Sequence, residues 1–247
     1  MHNTLVIIPA RNEEDTIYEV VTRSLNHADI CVIDDGSEDR TPELLTKIKM
    51  EAASGLHPNH VHIITHKKAT HIPGGIQDGL RFGIGKKYEF YITMDAGLSH
   101  DPDALPTFLE YDPSVHVLIG SREKVKGAPL YRRMISWGAA RIMNYALSRE
   151  WKDFKGPGLR DCTSGFRRYS AIGAGLIAEA ELKSKAFDFH MEALAICVRA
   201  GLNVREIPIE YNFSNSSFTR KVLWLAIKFA WHLIKTKKDV KQAVPAA

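Results

Sequence analysis

Two turns in the sequence carry carboxylates in positions where chemistry could take place: Asp34-Asp35 and Asp95. Each follows a short apolar run, residues 30–33 and residues 90–94, of the kind that forms a buried strand. Ligands of open α/β sheets bind just beyond the carboxyl ends of the strands. Acids at two such ends could hold a hard divalent cation or accept hydrogen bonds from a phosphate-bearing substrate. Taken alone, each could also be a turn aspartate that only caps backbone amides.

The elements that must position these acids alternate between strand and helix. The patterns predict strands at 5–9, 30–33, 61–64 and 90–94, with helices at 12–25, from 41 onward and around 76–84. Pro102 opens a further helix, with Asp101 as its cap. This alternation implies a mostly parallel, doubly wound α/β sheet. The second half is less regular, with strands at 115–119 and 204–213 and helices at 131–147 and 189–200.

Composition limits the class of protein. The 247 residues, 45% of them hydrophobic, are enough for one large α/β domain with an appendage. The net charge of +4 is too small to argue for a nucleic acid partner. Three cysteines without paired spacing suit a reducing compartment, and the first residues do not form a signal peptide. No apolar run reaches the roughly 20 residues that span a bilayer, so we expect a cytoplasmic protein.

A set of short blocks occurs in order between residues 4 and 222: VIIPARNEE, VIDDGSEDRT, MDAGLSHDP, GSR, YRRMIS, DCTSGFR, FDFHMEAL and REIPIEY. This ordered set resembles glycosyltransferase family 2, and within it the dolichol-phosphate mannose synthases and related polyprenyl-phosphate glycosyltransferases. The resemblance implies a GT-A fold, which has a Rossmann-like, mostly parallel doubly wound sheet. It also implies a nucleotide-diphosphate sugar donor, a divalent metal and inversion at the sugar carbon.

The resemblance assigns the nucleotide of the donor to the first three blocks. The residues carried over to that role are Pro9, Arg11, Glu13, Ile33, Asp34, Asp35 and Ala96. Arg11 replaces an aromatic residue found in some relatives, and His71 stands where many relatives have glycine. A side chain at position 71 would occupy space where the backbone otherwise approaches the donor sugar, so the identity of the donor sugar stays open.

Asp95 matches the first acid of the family's Asp-x-Asp metal motif, but Gly97 stands where the second acid usually is. A diphosphate leaving group needs charge neutralisation, which Mg²⁺ or Mn²⁺ supplies between carboxylate and phosphate oxygens. In one interpretation, Asp95 holds the metal with phosphates and waters. In another, Ser99, His100 or Asp101 replaces the missing acid, and in a third, catalysis is impaired. The metal ligands that we expect are Asp95 and Ser99.

The resemblance also implies where the acceptor binds. Catalytic roles fall to Asp95, Arg122, Arg132 and Asp161, and the acceptor phosphate would be bound by Arg132, Arg133, Ser136 and Arg220. Arg167 or Arg168 is expected near the phosphates as well, because arginine forks suit phosphate oxygens. An ionised phosphate is its own nucleophile and needs no general base. A hydroxyl acceptor would need one, and Asp161 is the candidate.

Residues 215–247 are predicted to form a basic amphipathic helix and tail, appended to a catalytic domain of residues 1–214. Lys221, Lys228 and Lys235 recur every seven residues as a polar stripe, which Trp224 and Trp231 flank. A wide apolar face edged by tryptophan and lysine fits a helix that lies in a membrane interface, and the basic tail would attract anionic lipids. A helix docked on the catalytic domain or on a second subunit is the alternative.

These features together predict a metal-dependent, inverting transferase. It would move mannose or glucose from a GDP- or UDP-sugar to a polyprenyl phosphate, such as dolichyl or undecaprenyl phosphate, at the cytoplasmic face of a membrane. One alternative is a family 2 transferase with a soluble hydroxyl acceptor. Another is a nucleotide-sugar-binding protein without turnover, which the residues at positions 71 and 97 motivate.

Overall fold

The computed structural model describes residues 3–126, 130–148, 153, 155–212, 228–229 and 231–236, with the side chains of residues 124–137, 139 and 212 excepted. A seven-stranded sheet with the order β3-β2-β1-β4-β6-β5-β7 forms its centre. The strands are β1 (Thr4–Ala10), β2 (Asp29–Asp34), β3 (Val61–Thr65), β4 (Phe90–Thr93), β5 (Val117–Lys126), β6 (Arg167–Ser170) and β7 (Val204–Asn212). The helices are α1 (Ile17–Ser24), α2 (Thr41–Ala53), α3 (His71–Gly85), α4 (Leu105–Leu109), α5 (Leu130–Leu147), α6 (Ala171–Glu179) and α7 (Phe189–Arg199), and a 3₁₀ turn (Pro102–Ala104) precedes α4.

Strands β3, β2, β1 and β4 run parallel, as the alternation of elements predicts. Alternate residues of β1 divide between two cores, because helices cover both faces of the sheet. Leu5 and Ile7 face the core that includes α3, whereas Val6 and Ile8 face the core that includes α1 and α2. α3 lies very close to the sheet because Gly79 has no side chain: a Cβ there would be 2.5 Å from Cγ2 of Ile7. The carboxyl ends of β1, β2 and β4 therefore share one edge.

Strand β6 runs antiparallel to both of its neighbours, and the sequence patterns do not predict it. Arg167 and Arg168 occupy half of this four-residue strand, and both are fully buried. Nη1 of Arg168 donates to the carbonyls of Phe108 and Tyr111, at 2.9 and 2.8 Å. Nη1 of Arg167 donates to the carbonyl of His190 at 2.5 Å. The expectation that one of these arginines binds phosphate is wrong, because their guanidinium groups connect loops inside the protein.

Helix α6 is also missing from the sequence-based prediction. It begins directly after β6, where the Ser170 hydroxyl accepts a hydrogen bond from the Gly173 amide at 3.3 Å as an N-cap. Its residues, AIGAGLIAE, are apolar nearly all round and show no amphipathic period. The helix packs between α3 and α7, and Nε2 of Gln77 donates to the carbonyl of Ala180 at its end.

Part of the carboxyl-terminal segment packs on the catalytic domain. Phe229 and Leu233 are buried in the core that contains α7, and Nη2 of Arg199 donates to the Leu233 carbonyl at 3.0 Å. Trp231 is 60% exposed. The rest of the predicted helix, including Arg220, Lys221 and Trp224, lies outside the described residues. The docked arrangement therefore applies to residues 228–229 and 231–236, while the domain boundary and the membrane contact stay predictions. In the described part of the chain, no helix is both long and apolar enough to cross a membrane.

Candidate active site

A cleft of about 620 Å³ opens at the edge of the sheet where β1, β2 and β4 end. Asp35 and Asp95 both line it, so the two acidic turns meet as the sequence predicts. Most of the predicted donor and metal residues belong to the same wall: Pro9, Arg11, Glu13, Asp35, Asp95, Ala96 and Ser99.

Glu13 lies in the turn after β1 and faces the charge of Asp95. Burial raises the pKa of the Glu13 carboxyl, a hydrogen bond from the Thr16 hydroxyl works against this, and the charge of Asp95 adds to the rise. The Glu13 amide donates to the Thr41 hydroxyl at 2.8 Å, which fixes the turn against α2. Two carboxylates that repel each other across a cleft create a site that favours a cation.

Asp35 is 6% exposed, and hydrogen bonds from its own chain surround it. Its Oδ1 accepts from the Thr70 amide at 2.7 Å and lies 2.9 Å from Nδ1 of His66, while Oδ2 accepts from the His71 amide at 2.8 Å. Burial works to raise the pKa of Asp35, but these hydrogen bonds outweigh it and the pKa is lowered. Asp35 therefore fixes the amino end of α3 beside the cleft, and its carboxylate stays ionised.

His71 adopts a left-handed backbone conformation, with φ of +61°. Glycine enters this region without strain, whereas a residue with a Cβ does so at a cost of about 1–2 kcal/mol. This is why glycine would fit the position without strain. His71 lines the cleft next to Ile72.

Ile33 and Asp34, which the resemblance assigns to donor binding, are not among the residues that line the cleft. Ile33 is fully buried beneath α3, where its Cδ1 would be 3.0 Å from a Cβ at Gly79. Asp34 is 1% exposed, and its Oδ1 accepts from the Ser37 amide at 3.0 Å. These two residues support the wall from behind, and their contact with the donor stays a prediction.

Asp95 projects into the cleft, and a buried histidine supports it. The Asp95 amide donates to Nδ1 of His100 at 3.3 Å, and the ring of His100 packs between those of Phe166 and Tyr211. Burial lowers the pKa of His100 despite the nearby Asp95 charge, so the ring is neutral. Nδ1 of His100 is therefore occupied as an acceptor and unsuited to replace the missing acid.

The other proposed substitutes for the second acid differ in position. Oδ1 of Asp101 lies 2.5 Å from Nη2 of Arg23, so this carboxylate is paired on α1. Ser99 lines the cleft. Gly97 lines it too, and a Cβ built there meets nothing within 4 Å. The space for a second acid is thus present at Gly97, although the acid is not.

The residues present fit a divalent cation that arrives with a diphosphate. The carboxylate of Asp95 is 38% exposed, and Glu13 adds negative charge nearby. Across the described ranges, no group of three or more histidine, cysteine, aspartate or glutamate side chains could hold a metal by itself. Phosphate oxygens and waters would complete the coordination, which Mg²⁺ tolerates.

Arg122 and Asp161 form a buried ion pair. Nε of Arg122 lies 2.6 Å from Oδ2 of Asp161, and Nη2 reaches both Oδ1 and the Thr163 hydroxyl. Burial works to lower the pKa of Arg122 and to raise that of Asp161, but the pairing outweighs it in both and drives each pKa the opposite way. The guanidinium lies 5.3 Å from the ring of Tyr211, which lines the cleft. Arg122 and Asp161 themselves are not among the lining residues.

The predicted acceptor residues belong to α5 and to the carboxyl-terminal segment. Arg132, Arg133 and Ser136 belong to α5, but their side chains lie outside the described part of the structure. Arg220 also lies outside the described residues. Their role in acceptor binding stays a prediction.

Sequence reasoning missed one wall of the cleft. The segment before α7 and the first turn of that helix contribute Lys185, Ala186, Phe187 and His190, and β7 contributes Tyr211. The available signal was the FDFHMEAL block, which contributed to the family resemblance but received no site residue. Lys185 brings an exposed cation to a cleft that acidic residues also line.

His190 is the most unusual residue of this wall. It is 3% exposed, and its Nδ1 has no hydrogen-bond partner among the described residues. Burial lowers the pKa of His190 far below its ordinary value, and the charge of Arg167 lowers it further, so the imidazole is neutral. A buried polar atom without a partner costs about 1–3 kcal/mol, and such atoms are rare in native proteins.

Known proteins resemble this chain over most of its length. Residues 5–173 match the family model described as glycosyl transferase family 2. An undecaprenyl-phosphate mannosyltransferase of Micrococcus luteus is 29% identical over 214 residues, which cover 84% of this chain and 82% of that protein. A UDP-N-acetylglucosamine–dolichyl-phosphate N-acetylglucosaminyltransferase of Methanococcus voltae is 27% identical over 247 residues, which cover 94% and 95% of the two chains.

A solved structure shares the fold. The mannosyltransferase of Pyrobaculum calidifontis in complex with GDP-Man and Mn²⁺ superposes with a TM-score of 0.59, covering 99% of this chain and 76% of that one. At 12% sequence identity, this likeness shows the GT-A architecture alone. It confirms the fold class that the sequence predicts.

Proposed function

The chain belongs to glycosyltransferase family 2, and on that premise we propose that it transfers a hexose from a nucleotide-diphosphate sugar to a polyprenyl phosphate. The observation that carries the proposal is the cleft in which Glu13, Asp35 and Asp95 converge at the carboxyl edge of the sheet. Relatives named for transfer to undecaprenyl and dolichyl phosphate cover more than four fifths of this chain.

The donor would lie along the acidic wall. Pro9, Arg11 and Glu13 follow β1 and lie beside the loop that Asp35 fixes, which suits a nucleoside. The diphosphate would extend toward Asp95, where a bound Mg²⁺ or Mn²⁺ would neutralise the charge that develops on the leaving group. Asp95 and Ser99 are the protein ligands that the sequence suggests, and Lys185 supplies a positive charge in the same cleft.

The state of Asp161 favours a phosphate as the acceptor. A hydroxyl acceptor requires a base to remove its proton, and Asp161 was the candidate. Its carboxylate is paired with Arg122 through two short hydrogen bonds, and its pKa is lowered, so it is a poor base. An ionised phosphate oxygen carries no proton. It attacks the sugar carbon, the bond from that carbon to the diphosphate breaks, and the nucleoside diphosphate leaves with the electron pair. Attack from the face opposite the leaving group inverts the sugar carbon.

The acceptor would reach the cleft from a membrane surface. Trp231 is 60% exposed, and Lys228 and Lys235 are exposed in the docked segment. An aromatic ring flanked by lysines suits the headgroup region of a bilayer. We therefore propose peripheral association with the cytoplasmic face of a membrane. The sugar could be mannose or glucose, and the relative from Methanococcus voltae adds N-acetylglucosamine as a donor to test.

A transfer assay tests the proposal directly. The protein is incubated with radiolabelled GDP-mannose, UDP-glucose or UDP-N-acetylglucosamine, undecaprenyl phosphate and Mg²⁺ or Mn²⁺, and label is counted in the butanol-extractable lipid. We expect lipid-linked label with one donor, and its loss in an Asp95→Ala variant. Label that stays in the aqueous phase would instead support a soluble hydroxyl acceptor. Donor binding without transfer to any acceptor would support the protein without turnover.

A further inference from the structure

The region around Asp95 lacks an expected carboxylate but contains an unexplained histidine. Gly97 leaves open space on the cleft wall where an acid would be expected. His190 lines the same cleft, although only 3% of the residue is exposed. The hydrogen bonds of the described residues leave its Nδ1 without a partner.

Gly165 lies against both Asp95 and His190. A Cβ built on Gly165 would lie 3.1 Å from Oδ1 of Asp95 and 3.0 Å from Nε2 of His190. Because Gly165 has no Cβ, both side chains can approach the same part of the backbone without a clash. Gly165 can occupy this position because the antiparallel β6 begins at the cleft edge, and its carbonyl accepts a hydrogen bond from the Thr93 hydroxyl at 2.7 Å.

We propose that His190 is a protein ligand of the divalent cation, through Nε2, and together with Asp95 takes the role that a second acid would have at Gly97. This inference rests on the proposed function, because the cation would arrive with the donor diphosphate. A metal binds an unprotonated imidazole nitrogen, so with Nε2 on the cation the ring proton would lie on Nδ1, and the missing partner of Nδ1 is a separate feature that does not select the ligand. Arg167 orients the first turn of α7 by donating to the His190 carbonyl at 2.5 Å.

The choice of ligand has a consequence for the metal. Mg²⁺ prefers oxygen ligands, whereas the affinity of a site that includes nitrogen rises along the transition metals from Mn²⁺ to Co²⁺. A site with one carboxylate and one imidazole should therefore favour Mn²⁺ and Co²⁺ over Mg²⁺ more strongly than a site with two carboxylates. The chain would thus differ in metal preference from relatives that have the complete Asp-x-Asp motif.

Pulsed electron paramagnetic resonance tests the bond without requiring turnover. The full chain, labelled with ¹⁵N-histidine, is loaded with Mn²⁺ in the presence of GDP and, separately, of UDP. Electron spin-echo modulation detects ¹⁵N bound to Mn²⁺, while nitrogen from the nucleotide remains ¹⁴N. We expect ¹⁵N modulation in the wild-type protein and its loss in His190→Gln. Mn²⁺ binding without ¹⁵N modulation in the wild-type protein would overturn the inference, as would absence of Mn²⁺ binding with either nucleotide.

Variants identify which of the 11 histidines is responsible. His60→Gln is the matched control, because this exposed residue precedes β3 at the far edge of the sheet and should retain full modulation. Modulation that persists in His190→Gln would point to another histidine, such as the buried His100, and would overturn the inference. Gly165→Ala provides a second test, because its methyl group would crowd Oδ1 of Asp95 and Nε2 of His190. We expect it to weaken Mn²⁺ binding by about 10- to 100-fold.

Two further results separate a ligand from a residue that only packs. In His190→Asp, the ratio of Mn²⁺ to Mg²⁺ affinity should fall, because oxygen replaces nitrogen. In His190→Leu, Mn²⁺ binding should be lost while the melting temperature stays the same or rises, since an unpartnered polar nitrogen is removed from the core. An unchanged metal ratio in the first variant would contradict the inference. Failure of lipid transfer in a wild-type protein with ¹⁵N modulation would instead reject the proposed acceptor and leave the ligand assignment intact.

Discussion

The two acidic turns of this protein have the same sequence signal but opposite surroundings. Asp35 and Asp95 each follow a buried strand, and both line one cleft. Asp35 is 6% exposed and accepts hydrogen bonds from the loop before α3, whereas the side chain of Asp95 is 38% exposed. The first acid mainly shapes the wall, and the second is available to a ligand. An acid at a strand end therefore predicts a site without predicting which acid touches the substrate.

The largest test of this difference is the loss of the exposed acid. We expect Asp95→Ala to reduce lipid transfer by about 10²–10³-fold or more, because charge stabilisation at the leaving group is lost. The melting temperature should change little, since the side chain is half exposed. Activity and thermal unfolding are measured on the same preparation. Full activity in Asp95→Ala would remove this residue from the mechanism.

The buried acid should show the reverse pattern. Asp35→Ala leaves the Thr70 and His71 amides without their acceptor, and we expect the free energy of unfolding to fall by about 2–3 kcal/mol. The pKa of Asp35 is lowered in the folded protein, so its stabilisation is complete above the unfolded pKa near 4 and is lost as the pH falls through the folded value. In denaturant unfolding, the free energy of unfolding of the wild type should therefore exceed that of the variant by an amount that becomes smaller as the pH falls. A difference that is constant from pH 7 to pH 2 would contradict this assignment.

A smaller effect is expected at His71, which follows the loop that Asp35 holds. Its φ of +61° favours glycine, so His71→Gly should be more stable than His71→Ala by about 1 kcal/mol. Both variants remove the imidazole from the cleft wall, which makes them a matched pair for strain. Chemical denaturation measures the difference. Equal stability of the two variants would show that the left-handed conformation carries no strain.

The smallest change in stability is expected at Gly97, next to the exposed acid. A Cβ there meets nothing within 4 Å, so Gly97→Asp should alter the free energy of unfolding by less than about 0.5 kcal/mol. The added carboxylate would favour oxygen-preferring Mg²⁺ and lower the ratio of Mn²⁺ to Mg²⁺ affinity. Calorimetric titration with both ions in the presence of GDP or UDP provides the measurement. A large loss of stability would mean that the space is not open.

The parallel half of the molecule was predictable because each strand is a continuous apolar run with a helix on either side. The runs before Asp35 and Asp95 show this: β2 extends one residue beyond the prediction at each end, and β4 ends one residue before it. In such a sheet, the meeting of the two turns follows from topology. Their different exposure does not, because it depends on whether a distant loop supplies donors.

The other half was predictable only in part. β6 is short and carries Arg167 and Arg168, so it lacks the apolar pattern that predicts a buried strand. Without β6, nothing in the sequence places Gly165 beside Asp95 or brings His190 to the cleft. A lone histidine in an apolar helix was the only local signal, and such residues are commonly part of a core. Contacts between distant segments, rather than local pattern, determine this wall.

The reversed direction of β6 gives the cleft a boundary that can be redesigned independently. Because β6 is antiparallel, the residues that precede it lie at the cleft. A change in the length or sequence of the segment leading to Gly165 therefore alters which side chains line the cleft there. The four parallel strands and both acidic turns need not move. Donor choice could therefore diverge among homologues through this one segment while the rest of the framework stays the same.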